Sequence, residues 1–200
     1  MASVTAFIEK RLRLKVNQGK SAVARLEERH FVGFRLRREP LDGAVEVLLS
    51  RRSKARIDAK LRELTPRNWG GSLEACIVRV NGYLRGWLGF FGICTDSEER
   101  TFGNLDAHIR RRLRAIQLKH WKRKRTIARR LTQMGVRHTT AWRSVYAGRR
   151  SLWALSHTPS VDRALRNGHW TDRGLVSLKE LWRASPHRLV APEQLKLALG

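Results

Sequence analysis

The stretch from Leu105 to Leu131, LDAHIRRRLRAIQLKHWKRKRTIARRL, constrains this chain more than any other. Leu105, Ile109, Leu113 and Ile116 recur at steps of four, four and three, with Trp121 just past the next step, which traces one face of a helix. Asn104 is the predicted N-cap, and Asp106 is predicted to sit in the first turn, where the helix dipole favours a carboxylate. The stretch holds eleven Lys and Arg against the single acid Asp106. Beyond Asp106 no carboxylate appears until Asp162, while fifteen Lys and Arg fall in between. An isolated charge run is ordinarily a solvated face. An uncompensated run of this length repels itself unless a polyanion lies against it, and that favours a nucleic-acid surface.

The whole chain agrees with that bias. Its 200 residues carry a net charge of +25, which points to nucleic acid, with an anionic membrane surface as the competitor. No apolar run is long enough to span a bilayer and no lipidation motif is present, so no membrane partner is expected. The N-terminal MASVTAFIEKRLRLKV lacks the apolar region of a signal peptide. Cys76 and Cys94 are the only cysteines and have no Cys-x-x-Cys spacing. They read as small core hydrophobes in a reducing, cytoplasmic setting, with no zinc site. A hydrophobic content of 42% suffices for one large core or two small ones.

In chain order, residues 4–14 read as a short amphipathic helix and Asn17–Lys20 as a turn. Ser21–Arg29, His30–Arg37 and Val45–Leu49 read as strands. Such a small strand set is only marginally stable alone, so this region is expected to be poorly packed. From Ser53 the pattern turns helical. Ile57, Leu61 and Leu64 define a helix stopped by Thr65-Pro66, and Ser72 caps the next. In that helix Leu73, Ile77, Val80, Leu84, Trp87 and Phe91 form the most regular seam of the chain, expected to pack between two partners. Gly82, Gly86 and Gly89 share a neighbouring face and imply close approach by another helix or by a nucleic-acid backbone, helix packing being favoured. Gly92–Gly103 reads as a polar loop whose Asp96, Glu98 and Glu99 face solvent. The basic helix follows, completing a three-helix antiparallel bundle over residues 53–125. Short helical pieces, punctuated by Gly135, Gly148, Pro159, Gly168 and Gly174, make a small C-terminal helical domain, and residues 185–200 a loosely attached helix.

Catalytic patterns are missing. No Gly-rich phosphate loop, Gly-x-Ser-x-Gly or His-Glu-x-x-His occurs, and the six Asp residues are scattered singly. The residues point to binding without chemistry, and to no cofactor or metal. Lys and Arg supply phosphate contacts, and Trp121, Trp142, Tyr146 and Trp153 are interleaved with them as rings able to stack on splayed bases. Core packing is favoured for Trp87 and Trp182.

Several segments then become familiar as a set. Asn17-x-x-Lys20-Ser21 followed by Phe31-Val32-Gly33-Phe34 resembles the end of the palm, the primer-grip region, of group II intron-encoded reverse transcriptases. Arg56-x-x-x-Lys60-Leu61, Gly71-Ser72-Leu73, Asn81-x-x-Leu84-Arg85-Gly86-Trp87, Leu105-Asp106-x-x-Ile109-Arg110-Arg111-Arg112-Leu113-Arg114 and Trp121-Lys122 resemble the maturase-specific domain, the thumb or domain X. Trp142-Arg143-Ser144, Gly148-Arg149, Trp153-x-Leu155-Ser156 and Gly174-Leu175-x-Ser177-Leu178 resemble the segment that follows it. Order and spacing together carry the resemblance, over roughly residues 5–183. The family's Ala-Asp-Asp catalytic motif is absent from these residues, as are the fingers, most of the palm and the Cys-paired endonuclease domain of some members.

The resemblance implies a mainly α chain. Residues 1–50 would be an α/β palm remnant of a short helix plus a β-hairpin, 51–125 a three-helix thumb-like bundle, 126–184 a basic helical domain and 185–200 a tail. It implies a truncated maturase-type protein that binds group II intron RNA in splicing, without polymerase activity of its own. Target DNA and a separately encoded reverse-transcriptase palm are further partners that it allows. The alternatives are the C-terminal half of a split RNA-directed DNA polymerase and a generic basic DNA-binding protein. The expected RNA contacts are Arg85, Arg110, Arg111, Arg114, Lys119, Trp121, Lys122, Arg123, Lys124, Arg125, Arg129, Arg130, Arg143 and Arg149. Arg112 adjoins the buried side. Asn17, Lys20, Phe31, Gly33 and Phe34 carry the palm motif.

Overall fold

A computed structural model of the chain describes residues 2–17, 19–21, 23–25, 28, 30–39, 43–95, 98–147 and 151–185. The architecture is mainly helical with one small antiparallel sheet. Helix α1 (Ala2–Arg11) buries no residue, and leaves Val4 and Phe7 exposed. Strands β1 (His30–Phe31), β2 (Phe34–Arg38) and β3 (Val45–Leu49) pair in sequence order. Two strand expectations are corrected. The described residues of 21–29 form no strand, and His30–Arg37 is not one strand but a tight hairpin pairing Phe31 with Phe34. Val32 and Gly33, the two residues between them, both have positive φ, +47° and +92°. This is the handedness that a two-residue hairpin turn demands, and glycine meets it without cost. The sheet is better packed than its size suggests, because Phe34, Leu48 and Leu49 enter the main core.

Helix α2 (Arg51–Leu64) starts where Ser50 Oγ accepts from Ser53 N at 3.1 Å, and ends at Thr65-Pro66. Helix α3 (Leu73–Phe91) is capped by Ser72 as its sequence predicts. Its seam is the centre of the molecule, with Leu73, Ile77, Val80 and Leu84 each at most 3% exposed. Helix α4 (Glu99–His120) docks Ile109, Leu113 and Ile116 in the same core, and α2, α3 and α4 touch one another in pairs.

Helix α4 begins earlier than predicted, at Glu99 rather than after Asn104, and so takes in much of the expected polar loop. Burial of Phe102, 5.0 Å from Trp182 and 6.2 Å from Trp87 between ring centroids, holds the added turns in place. Nor do the loop's acids simply face solvent. Buried Glu98 accepts from Leu49 N at 3.1 Å and from Lys54 Nζ at 2.8 Å, tying sheet to helix, while Glu99 pairs with Lys179 and Arg183. Asp96 lies outside the described residues.

The basic stretch is also not one helix. It breaks at Trp121–Arg123, where Lys122 has φ +59°, and resumes as α5 (Lys124–Gln133). Gly135 then closes α5. Val136 N bonds Leu131 O, and Gly135 N bonds Thr132 O at φ +85°, so the last carbonyls are satisfied by a left-handed cap. The chain returns as α6 (His138–Tyr146), which packs along α5. Four short helices follow, α7 (Leu152–Leu155), α8 (Pro159–Ala164), α9 (Asn167–Thr171) and α10 (Leu178–Arg183); α7 and α10 pack on α4, and α8 on α5 and α6. One hydrophobic cluster runs without interruption from Phe34 to Trp182. Residues 186–200, read from sequence as a loose helix, lie outside the described residues.

Candidate nucleic-acid interface

Sequence places the cations on one run, and folding sorts them into separate roles. Lys119, Lys122, Arg123, Lys124, Arg125, Arg129 and Arg130 are all exposed, from the end of α4 along α5. Helix α5 is sharply two-sided: Ile127, Ala128 and Leu131 are buried and its Lys and Arg point out. Among the described residues no ion pair involves any of these seven cations. The ridge therefore repels itself with no carboxylate among the described residues to offset it. Arg143 is exposed on α6 and Arg85 on α3. Arg149 lies outside the described residues.

Arg110 and Arg111 belong to a second place, a shallow pocket of about 330 Å³ shared with His108, His157, Asp162 and Asn167. The Arg111 guanidinium lies 4.0 Å from the Trp153 ring centroid, and Arg67 covers the same ring at 4.8 Å. Burial holds the pKa of His108 below its ordinary 6.5, against the opposing pull of Asp58 3.4 Å away.

Two arginines of the run turn inward. Arg112 is 7% exposed and donates to Thr65 Oγ1 at 2.5 Å, Thr65 O at 2.6 Å and Arg62 O at 3.1 Å, closing the C-terminus of α2. Arg114, an expected RNA contact, is 8% exposed. It donates through Nε and Nη2 to Leu165 O at 3.2 and 3.1 Å and pairs with Asp162. Both have pKa values pulled down first by burial. Arg114 thus sits apart from the exposed ridge, as a clamp between α4 and α8.

The aromatic residues divide in the same way. Trp182 is fully buried and donates to Cys94 O; Trp87 stacks on Phe91 at 4.5 Å. Trp121 is half-buried against the core, and Trp153 is covered by arginines. Trp142 and Tyr146 continue a row of rings from His138 along α6, with centroids 5.5 and 5.6 Å apart.

The palm-like motif is assembled locally. Asn17 Oδ1 accepts from Lys20 N at 3.1 Å, and Lys20 and Phe31 are exposed. Gly33 O accepts from Ser53 Oγ at 2.7 Å and Ser50 N at 2.9 Å, and a Cβ there would meet Ser53 Oγ at 2.9 Å. Phe34 is buried against Phe90 and Phe91, at 5.5 and 5.2 Å. Between hairpin, α2 and α3 lies a cleft of about 720 Å³ with Tyr83, Trp87 and Phe90 in its wall and His30, Arg52 and Arg56 at hand.

Some organising residues carried no sequence signal for their role. Asp106 is 4% exposed and lies inside α4, not in its first turn. It accepts from Ser177 Oγ at 2.7 Å, Leu178 N at 2.8 Å and Lys179 N at 3.1 Å, capping α10 from another helix. Asn81 on α3 clasps the loop before α10, donating to Gly174 O at 2.7 Å and accepting from Val176 N at 3.1 Å. A polar residue amid an apolar seam was the available hint. Gly82, Gly86 and Gly89 are exposed, and a Cβ at each would meet nothing within 4 Å. The favoured packing by another helix is therefore corrected: among the described residues none covers that face. Cys76 and Cys94 are free and buried, their thiols pushed up to about 11 and about 12 by burial. Among the described residues no three His, Cys, Asp or Glu side chains converge as metal ligands, and no helix is long and apolar enough to cross a membrane.

Residues 54–135 match the family model of the group II intron, maturase-specific domain. The span runs from the first turn of α2 to the glycine closing α5, so it takes in the bundle and the exposed ridge. The match agrees with the resemblance read from sequence and supports a group II intron maturase-related function. No curated protein matches the chain.

Proposed function

We propose that this protein binds structured group II intron RNA in the cytoplasm and stabilises its splicing-competent fold, the RNA itself supplying the chemistry. The observation that carries the reading is the ridge from Lys119 to Arg130. Seven exposed cations stand there without an ion pair among the described residues, on the segment that matches the maturase-specific domain. Cations bridging phosphates from separate RNA elements hold them together at a distance where they repel one another.

Backbone strain at Lys122 supports the same reading. A non-glycine residue at φ +59° occupies the position where helices commonly place glycine. A lysine kept there sets one more cation at the bend between α4 and α5. The test is a filter-binding series with folded intron RNA across a salt titration. If six or more phosphates are neutralised, affinity falls by about a thousandfold or more between roughly 50 and 200 mM salt. A flat salt response overturns the reading. Equal affinity for duplex DNA of the same length favours a generic basic DNA-binding protein, and primer extension on adding a separately expressed palm favours half of a split polymerase.

A further inference from the structure

We propose that the rings of His138, Trp142 and Tyr146 on α6 form a stacking platform for unpaired nucleotides. Lys124 and neighbouring cations would take the phosphates of the same strand. The inference rests on the RNA-binding reading above and narrows it, at one place, to nucleotides outside a duplex.

Three facts converge on this helix. First, residues four apart lie on one face, so the three rings form a row, and Trp142 and Tyr146 are parallel to within 6°. Second, the row is anchored at its centre and open at its ends. Trp142 is half-buried against the core, whereas His138 is exposed and Tyr146 is 49% exposed. Third, Lys124 Nζ stands 5.6 Å from the Tyr146 centroid, and Arg143 is exposed on the same helix. Open rings offer π faces to a base, and the cations beside them offer partners to its phosphate.

The geometry favours an unpaired strand over a duplex. Paired bases hide their faces within the stack, so exposed protein rings reach only bases that are splayed out. Of the other aromatic residues interleaved with the cations, Trp121 packs half-buried against the core with no ring beside it in a row among the described residues, and Trp153 lies beneath Arg111 and Arg67. An apolar protein partner fits less well, because the centres of protein interfaces are depleted of lysine, which this surface holds against its rings.

The experiment measures affinity of the full chain for an oligouridylate of about twelve nucleotides and for a duplex RNA of the same length. Tyr146→Ala should weaken oligouridylate binding about tenfold and duplex binding by less than about twofold, since only the unpaired strand loses a stacked base. His138→Ala should act in the same direction. Tyr146→Phe keeps the ring and should bind the oligonucleotide like the parent. The same oligomer in DNA separates an RNA loop from a displaced DNA strand, and preferential loss on either supports the platform. Undiminished oligonucleotide binding by Tyr146→Ala overturns the proposal, and so does equal loss on duplex and single strand. Failure of Tyr146→Phe to restore binding overturns it too, because the hydroxyl and not the ring would then matter. A parent chain that binds folded intron RNA with steep salt dependence but ignores the oligonucleotide sinks the platform alone. One that binds no RNA sinks the intron reading first.

Discussion

The glycine face of α3 permits a quantitative test. Gly82 and Gly86 lie in the helix interior and Gly89 in its last turn, all exposed and with open space where a Cβ would go. Replacing each with alanine adds helix propensity and removes unfolded-chain entropy, without a clash to offset the gain. Each change is worth about 0.4–1 kcal/mol. The sites do not contact one another through side chains, so the triple variant should gain roughly 1–3 kcal/mol. For a chain of this length that raises the melting temperature by about 2–12 °C, at roughly 2–4 °C per kcal/mol. The assay is thermal unfolding followed by circular dichroism at 222 nm, where helix signal is largest. An unchanged or lowered midpoint would refute the reasoning, because it would mean that another segment already fills the strip. Intron RNA binding by the same variant then asks why the costly glycines are there. Lost affinity at raised stability ties them to close approach of a nucleic-acid backbone, the alternative that packing against a helix had outweighed in the sequence.

The remaining expectations concern stability and charge. Asp106→Ala leaves one buried and one half-buried N–H group and a hydroxyl at the start of α10 without their acceptor. It should cost about 2–4 kcal/mol, read as a lower urea midpoint, with Asp106→Asn intermediate; a loss below about 0.5 kcal/mol would show that α10 caps itself. Lys122→Gly relieves a left-handed backbone and should stabilise by up to about 1 kcal/mol. It should also reduce the salt slope of RNA binding by about 0.7–0.9, one phosphate's worth; an unchanged slope removes Lys122 from the contact surface. Burial holds His108 and His169 below the ordinary 6.5 when folded, so the unfolded chain binds the more protons and stability rises with pH. Stability should therefore fall as pH drops through 6.5 and level off below the depressed folded values. Thermal midpoints measured from pH 8 to 5 check this, and His108→Gln should flatten the curve.

Helix existence was legible wherever apolar spacing ran long, as in α3 and α4, and one cap was legible where Ser preceded the run, at Ser72; the cap at Ser50 was missed because the helical pattern was read only from Ser53. The boundaries failed for a tertiary reason. Nothing local to Gly103 or Asn104 says helix, but Phe102 buried between Trp87 and Trp182 makes residues 99–104 worth ordering as one. Ser21–Arg29 read as a strand from its apolar alternation, yet a strand needs a neighbour to pair with, and the described sheet begins at His30. Asp106 was legible as a carboxylate near a helix start and was assigned to that helix's dipole. Its partners are more than seventy residues on, and no periodicity reaches that far.

The charge run shows most clearly what a sequence pattern leaves undetermined. A helical wheel sorts arginines into one buried side and one solvent side, which presumes that a helix has a single covered face. Helix α4 has two. The bundle of α2 and α3 covers one, α7 and α10 pack on another, and residues 112–118 are all buried. Arginines caught in that zone cannot remain solvated. The charges of Arg112 and Arg114 are tolerated there because backbone carbonyls of Thr65, Arg62 and Leu165 and the carboxylate of Asp162 take the place of water. The cations that remain free for a polyanion begin where the second covering layer ends, at Lys119. There the chain bends at Lys122, and α5 turns its apolar side to α6, which leaves its cations outward. The position of the proposed interface thus follows from where α4 runs out of neighbours, and a variant that peels α8 away should expose Arg114 and widen the expected RNA footprint toward it. Asp162→Ala, which removes the charge partner of Arg114, is the mildest such change. Protection of RNA extending further in chemical footprinting would bear the argument out, and an unchanged footprint would mean that Arg114 is fixed by Leu165 alone.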